Sequence, residues 1–512
     1  MIRRTVKETL VEEGAAEDLS SVAMKVINLQ RLGVSYHFED EICEILQQIF
    51  DKDNVPHDDL HQNNSDLYAV ALRFRLLRQQ GHNVSCDKYF SNLKDNDGIF
   101  KESLISDTKG LLSLYEATHL RIKGDDILDQ ALTFTTTHLK SATRRDLSSP
   151  LLKQVTHALY QPLWKGIPRM EVRHYLSIYQ EDDSHNETLL CFAKLDFNLL
   201  QQLYQKELFE ITRWWKDVDF MKHLSFARDR VVECYLSALG VYFEPKYYFP
   251  RRTLSKFIYM VAVIDDMYDA HGTFEELELF NEAIQRWDIS AKNQLPNYMK
   301  VCYQTLLDVY TELEEYLARE GNLYGIYYAR ESMKRHVGGY MKETRWFHSA
   351  YTPKLDEYMP LAALTSLYSL AIVAVVGMGN AATKDSLDWL LTDPPIVNAS
   401  SVIGRLLNDV MSYQFEQKRG HNASSVELYV KEYGVTEEVA KLALTKQVDD
   451  AWKVINKAWL HPTRIPLPLL MRPLNLARVM EILYKFEDAF TNAGVELKNF
   501  ATEVLIESVP IA

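Results

Sequence analysis

Glycine and proline are scarce in this chain, 19 and 16 among 512 residues, and no long stretch alternates apolar with polar residues. A sandwich or barrel of short strands needs turn residues at close, regular intervals, so that class is excluded. Cysteine is scarcer still. Cys43, Cys86, Cys191, Cys234 and Cys302 are scattered, odd in number and without metal-ligand spacing, which leaves reduced core thiols as the expectation. Positive charge is short as well: 57 Lys and Arg face 71 Asp and Glu, a net charge of −14. Nucleic acid is therefore not an expected partner, because phosphate contacts need a basic surface. Any anionic substrate must be held by local basic residues and metal. Long apolar runs are also missing. None approaches the roughly 18 residues of a membrane span, the run at residues 370–376 being too short. There is no low-complexity segment and no fixed repeat, which argues against a helical solenoid. The first residues carry no apolar signal segment and turn acidic at Glu8, Glu12 and Glu13, unlike a transit peptide. The expectation is a cytoplasmic monomer.

What is present is helical. The chain is 47% hydrophobic and 25% charged, which suits a globular protein of two or more domains with a large core. Residues 24–32, 39–50 and 67–80 read as amphipathic helices, separated by polar, turn-rich stretches such as Asp95-Asn96-Asp97-Gly98, and Ser148-Ser149-Pro150 opens another. The architecture is all-α. A polar connection at Gln180-Glu181-Asp182-Asp183-Ser184-His185-Asn186 divides the chain into domains 1–185 and 186–512. Beyond it the helices lengthen and become more apolar, as expected if they surround a cavity.

One stretch organises the second domain. Residues 257–264 are uncharged and mostly large, and they end abruptly in Asp265-Asp266-Met267-Tyr268-Asp269. This reads as a buried helix whose C-terminal end emerges at a cavity. Asp265 and Asp269 lie one turn apart on one face, and two carboxylates about 4 Å apart repel by roughly 4 kcal/mol at an effective dielectric near 20. A positive partner is required. Carboxylate oxygens without Cys or His neighbours favour magnesium or manganese over zinc. Asp125-Asp126-Ile127-Leu128-Asp129 repeats the pattern, but it opens a helix, where acidic residues satisfy free N–H groups and complement the dipole. That copy is expected to be structural.

Further sets carry polar chemistry. Arg228-Asp229-Arg230 offers two guanidinium groups able to clamp a diphosphate. Asn408, Ser412 and Glu416, spaced four and four, stack an amide oxygen, a hydroxyl and a carboxylate on one helix face, with Arg405 on the same face. Lys418-Arg419-Gly420-His421 follows, either to close over an anion or to complement a helix C-terminus. Tyr484-Lys485-Phe486-Glu487-Asp488 is the last element.

Together these sets resemble the class I plant terpene synthases, the cytosolic sesquiterpene cyclases in particular, over essentially the whole chain. Phe192-Ala193-Lys194-Leu195-Asp196-Phe197-Asn198 and Arg213-Trp214-Trp215-Lys216 are also similar to that family. The resemblance implies an N-terminal α-barrel and a C-terminal helical bundle enclosing the active site. It implies Mg2+, or Mn2+, held by Asp265, Asp266, Asp269, Asn408, Ser412 and Glu416. Arg228, Arg230, Arg405 and Lys418 would bind the diphosphate of a prenyl diphosphate, with Tyr484 and Asp488 as further catalytic residues. Val261, Ala262 and Ile258 would form a dry wall, and Thr365-Ser366 a helix break facing the carbocation. Farnesyl diphosphate is the expected substrate, with geranylgeranyl diphosphate as the alternative. Two readings of other classes compete: a chain-elongating prenyl transferase, which would present a second Asp-rich motif in the same helical core, and a non-catalytic helical scaffold.

The sequence departs from that pattern at three places. Ser237 stands where many members carry Trp, which removes a cation-facing indole and enlarges the cavity. Asp488-Ala489-Phe490-Thr491 replaces Asp-Gly-Tyr-Thr, keeping a ring but not its hydroxyl. The chain also begins after the family's N-terminal Arg-Arg and Trp segment, so a less completely covered site is expected.

Overall fold

The apolar periodicities form helices nearly everywhere. A computed structural model describes residues 2–11, 19–53, 66–145, 147–416, 424–491 and 493–511. Among the described residues there is no strand, only an isolated bridge between Lys94 and Phe100. The chain forms two compact units, one of Met1–Gln202 with Asn456–Thr463 and Thr502–Ala512, the other of Leu203–Ile455 with Arg464–Ala501. The polar connection expected to part the domains joins helices Pro168–Gln180 and Glu187–Val218. The first unit runs past it to Gln202 and takes in two late segments. Polar side chains bind these segments: Asn456 donates to the carbonyls of His119 and Arg121, and Gln201 to those of Val504 and Glu507.

In the first unit, helices Leu19–Arg31, Leu67–Gln79, Thr108–Thr118, Asp126–Ala142, Ser149–Tyr160 and Pro168–Gln180 each pack on the next, and the last packs on the first. This closed ring is the expected α-barrel. Its interior is apolar, with Val26, Phe74, Leu111, Leu128 and Val155 almost fully buried. The duplicate Asp motif does structural work here. Gly124, at a φ of 96° that favours glycine, turns the chain into Asp125. The Asp125 carboxylate then accepts from Arg78 Nη1 at 3.0 Å and from the Ile122 N–H at 2.9 Å, and Asp129 accepts from Arg121 Nε at 2.8 Å. All five cysteines are free thiols; Cys86, Cys234 and Cys302 are buried, whereas Cys43 is exposed and not a core residue.

In the second unit, helix Tyr248–Ala270 is the central element, with residues 257–264 buried along their whole length. It packs against helices Val231–Val241, Asn297–Arg319, Gly325–His348 and Ser369–Val376. Its N-terminal half is anchored by Arg251, fully buried, whose guanidinium forks onto Glu207 at 2.5 and 2.7 Å. Helix Leu355–Ala363 continues through a π-helical turn, Leu364–Tyr368, into Ser369–Val376. This stretch of 22 residues is long and apolar enough to cross a membrane, its most apolar 18-residue window having a mean hydropathy of 2.0, contrary to the expectation that no segment would be; 78% of that window is buried inside the protein. Thr365, Ser366 and Ser369 interrupt the apolar run without lowering its mean enough to fail that test.

Candidate active site

The described residues expected at the site all line one cavity of about 1040 Å³ in the second unit: Arg228, Arg230, Asp265, Asp266, Asp269, Thr365, Ser366, Arg405, Asn408, Ser412, Tyr484 and Asp488. Glu416 closes helix Pro395–Glu416, but its side chain lies outside the described residues, as does all of Lys418 within residues 417–423. The expected wall residues Ile258, Val261 and Ala262 line the same space.

The Asp-rich helix delivers its carboxylates at a C-terminal end whose dipole opposes them, so helix stability does not explain their presence. The three do not act alike. Asp266 turns to the arginines: Arg228 Nη2 donates to its Oδ1 at 2.7 Å and Arg230 Nη2 stands 4.0 Å away. The nearby arginines thus pair with Asp266 and not with Asp265 or Asp269, the two carboxylates between which a divalent cation is expected. Asp265 faces the hydroxyl of Tyr340 instead, and burial, then the charge of Asp266, pushes its carboxyl pKa up. Such a group gains from a cation. Arg230 is buried, its guanidinium 4.7 Å from the centre of the Phe490 ring, and its Nε and Nη2 have no hydrogen-bond partner. Orphaned guanidinium N–H groups at a cavity suit an anion with several oxygens.

The second face comes from helix Pro395–Glu416. Ser412 donates its hydroxyl to the Asn408 carbonyl at 2.8 Å, which leaves the Oγ lone pairs available. Among the described residues no three His, Cys, Asp or Glu side chains cluster as a metal site. The donor set expected from sequence is carboxylates on one helix and an amide, a hydroxyl and the Glu416 carboxylate on the other, the last outside the described side chains, and those hard oxygens fit magnesium. Arg405 does not hang free. Its Nε donates to the Ala362 carbonyl at 3.1 Å, its Nη2 to Thr365 Oγ1 at 3.3 Å, and its Nη1 lies 3.5 Å from Asp409.

The expected helix break is the π-turn itself, with Thr365 and Ser366 at its centre. Thr365 donates to Glu343 Oε1 at 2.8 Å. Burial pushes the Glu343 carboxyl up to about 7 against the opposing charge of Arg405. On the last wall, burial and then the charge of Asp488 keep the Tyr484 phenol protonated far above its ordinary range. Tyr340, Glu343, Tyr358 and Asp409 also line the cavity and escaped the sequence reading. Asp409 stood inside the quoted motif, and Tyr358 donates to it at 3.1 Å. Tyr340 and Glu343, three apart within a long helix, had only their polarity on a buried face as a signal.

Comparison with known proteins follows the same division. The family model described as terpene synthase, N-terminal domain, matches residues 2–159, and that of the terpene synthase family, metal binding domain, matches residues 216–454. The chain belongs to the terpene synthase family. Among its relatives, a (-)-germacrene D synthase of Vitis vinifera is 56% identical over 499 residues, covering 97% of this chain and 88% of the relative. A valencene synthase of Vitis vinifera is 49% identical over 509 residues, covering 99% and 90%. Of solved structures, isoprene synthase from grey poplar leaves (Populus x canescens), in complex with three Mg2+ ions and dimethylallyl-S-thiolodiphosphate, is 33% identical with a TM-score of 0.91, covering 99% of this chain and 97% of that one. A limonene synthase with 2-fluorolinalyl diphosphate is 30% identical with a TM-score of 0.93, covering 99% and 94%.

Proposed function

We propose that this chain is a sesquiterpene synthase, a carbon–oxygen lyase that ionises farnesyl diphosphate, cyclises the cation and releases diphosphate. The relatives named as germacrene D and valencene synthases support the substrate class. The observation that carries the reading is the convergence, on one cavity, of an Asp265/Asp269 face, an Asn408/Ser412 face, three arginines and an apolar wall. Asp265 and Asp269, with Asn408, Ser412 and Glu416, would hold Mg2+, and Mn2+ suits the same oxygens; Asp266, expected from sequence as a further ligand, is already engaged by Arg228. When bound, the metal supplies Lewis-acid assistance to departure of the diphosphate.

The remaining work belongs to the chain. Arg228, Arg230, Arg405 and Lys418 hold the diphosphate oxygens and keep the leaving group from recapturing the cation. Ile258, Val261, Ala262 and Leu370 exclude water from the prenyl chain. The rings of Trp346 and Phe490 line the same space and offer π faces to a cation, one face of Phe490 lying against Arg230, and Tyr340 adds a ring whose hydroxyl is turned to Asp265. Tyr484 and Asp488, neighbours in the wall, complete the catalytic set: the Asp488 side chain is assigned to accept the last proton, and the protonated Tyr484 phenol to stand beside it.

The volume favours one alternative: about 1040 Å³, with Ser237 in the wall where an indole would stand, sits at the upper end of small-molecule sites and leaves room for geranylgeranyl diphosphate. Incubation with farnesyl and geranylgeranyl diphosphates side by side, followed by gas chromatography and a diphosphate assay, tests the reading. The expected result is a volatile C15 product, no requirement for isopentenyl diphosphate, and loss of turnover on chelation or in Asp265→Ala. Full turnover in that variant would remove the metal role, and absence of diphosphate release from the parent would leave only a helical scaffold.

A further inference from the structure

The π-turn that forms the floor of the cavity is approached from two sides by helices that carry glycine at the point of contact. On helix Gly325–His348, a Cβ built on Gly339 would lie 2.6 Å from Thr365 Cγ2. On helix Pro395–Glu416, one built on Gly404 would lie 2.9 Å from Leu367 Cδ1 and 3.0 Å from Ser366 Oγ. At 2.6 and 2.9 Å a Cβ cannot be placed unless the Thr365 or Leu367 side chain, or the turn that carries them, gives way. Glycine is a poor helix-interior residue on its own account, so its presence at these two points needs a reason. The adjacent Gly338 is a control within the same helix: a Cβ there would meet only Gln285 Nε2, at 3.6 Å.

Each helix also reaches the turn with a charged group. Glu343, one helical turn beyond Gly339, accepts the Thr365 hydroxyl at 2.8 Å. Arg405, next to Gly404, donates to Thr365 Oγ1 and to the Ala362 carbonyl. Close approach and polar tether thus occur together on both sides. Thr365, Ser366 and Leu367 line the cavity, whereas Gly339 does not.

We propose that Gly339 and Gly404 clasp the π-turn and thereby set the depth and tilt of the cavity floor, which makes Gly339 a specificity-determining residue that never meets the substrate. The geometry of the clasp stands on contacts alone; its consequence for product rests on the terpene synthase reading. A carbocation partitions among products by small differences in which atoms face it, and one methyl group of pocket shape is worth about tenfold in such a choice. A methyl on Gly339 pushes Thr365 toward the cavity without adding an atom to it. A methyl on Gly404 both pushes Leu367 and fills space.

Four variants test this in the full chain: Gly338→Ala, Gly339→Ala, Gly404→Ala and the double Gly339→Ala/Thr365→Ser, which removes the methyl that Gly339→Ala would strike while keeping the hydroxyl. Thermal melting reads the steric part without turnover. Gly339→Ala and Gly404→Ala are expected to melt lower than the parent, Gly338→Ala no lower, and the double variant to recover most of the loss. Product ratios by gas chromatography read the consequence. Gly339→Ala should change the ratio of the two main products about tenfold while still releasing diphosphate, and the double variant should return toward the parental ratio. If Gly339→Ala does not fold, the double variant is expected to fold and to show that ratio. A Gly339→Ala protein with unchanged melting and products overturns the clasp, as does a double variant that recovers neither. A parent that releases no diphosphate overturns the catalytic reading instead, and the melting series then decides the clasp by itself.

Discussion

At the scale of single residues, neighbours in one motif have different duties because a helix points them in different directions. Asp266 holds Arg228 while Asp265 stands half-buried against Tyr340. Ser237 is the residue on which product choice should turn most visibly. It lines the cavity, is 5% exposed, and spends its hydroxyl on the Glu233 carbonyl at 2.8 Å, so nothing of its chemistry reaches the substrate. What it contributes is room. Ser237→Trp is expected to keep diphosphate release and to alter the product distribution, read by gas chromatography, because an indole both fills the wall and offers a π face. An unchanged distribution would remove Ser237 from the determinants.

At the scale of elements, the same letters serve opposite ends of a helix with opposite results. Asp265 and Asp269 sit at a C-terminal end that disfavours them, whereas Asp125 to Asp129 open the helix Asp126–Ala142, tied to Arg78 and Arg121. The Arg78–Asp125 pair is buried, and removing one partner leaves a charge in the interior. Asp125→Ala is expected to cost about 3 kcal/mol in chemical denaturation and to leave the product distribution untouched. A shift in products without loss of stability would assign that motif to the site after all. The helix position of the two Asp motifs was legible from their flanks. The partners were not, because Arg78 lies 47 residues from Asp125 and no local pattern joins them.

At the scale of the whole molecule, an acidic chain buries some of its carboxylates at a cost. Glu116, inside the first unit, is pushed up to about 7 by burial, against the opposing charge of Arg75, while the Leu163 N–H donates to it at 3.0 Å. Its folded pKa lies above the ordinary 4.5, so between those values the folded state binds more protons than the unfolded chain. Stability from this group is therefore greatest below about pH 4.5, falls as pH rises toward 7 and is level above it. Glu116→Gln should remove that slope, so that the parent loses up to about 3 kcal/mol more than the variant between pH 5 and 8 in denaturant titrations. Equal losses would mean that Glu116 stays ionised throughout.

The all-α class, the two oxygen-bearing faces and the arginine pair follow from the chain itself, since helical periodicity and four-residue spacing are properties of local sequence; the place of the helix break comes from the family resemblance. The boundary of the compact units, the partnership of Asp266 with Arg228, the roles of Tyr340, Glu343 and Asp409, and the glycine contacts on the π-turn do not. They depend on which helices meet and how closely, and that is settled by packing between residues tens of positions apart. Spacing along one helix tells which oxygens share a face; only the packed bundle decides what stands opposite them.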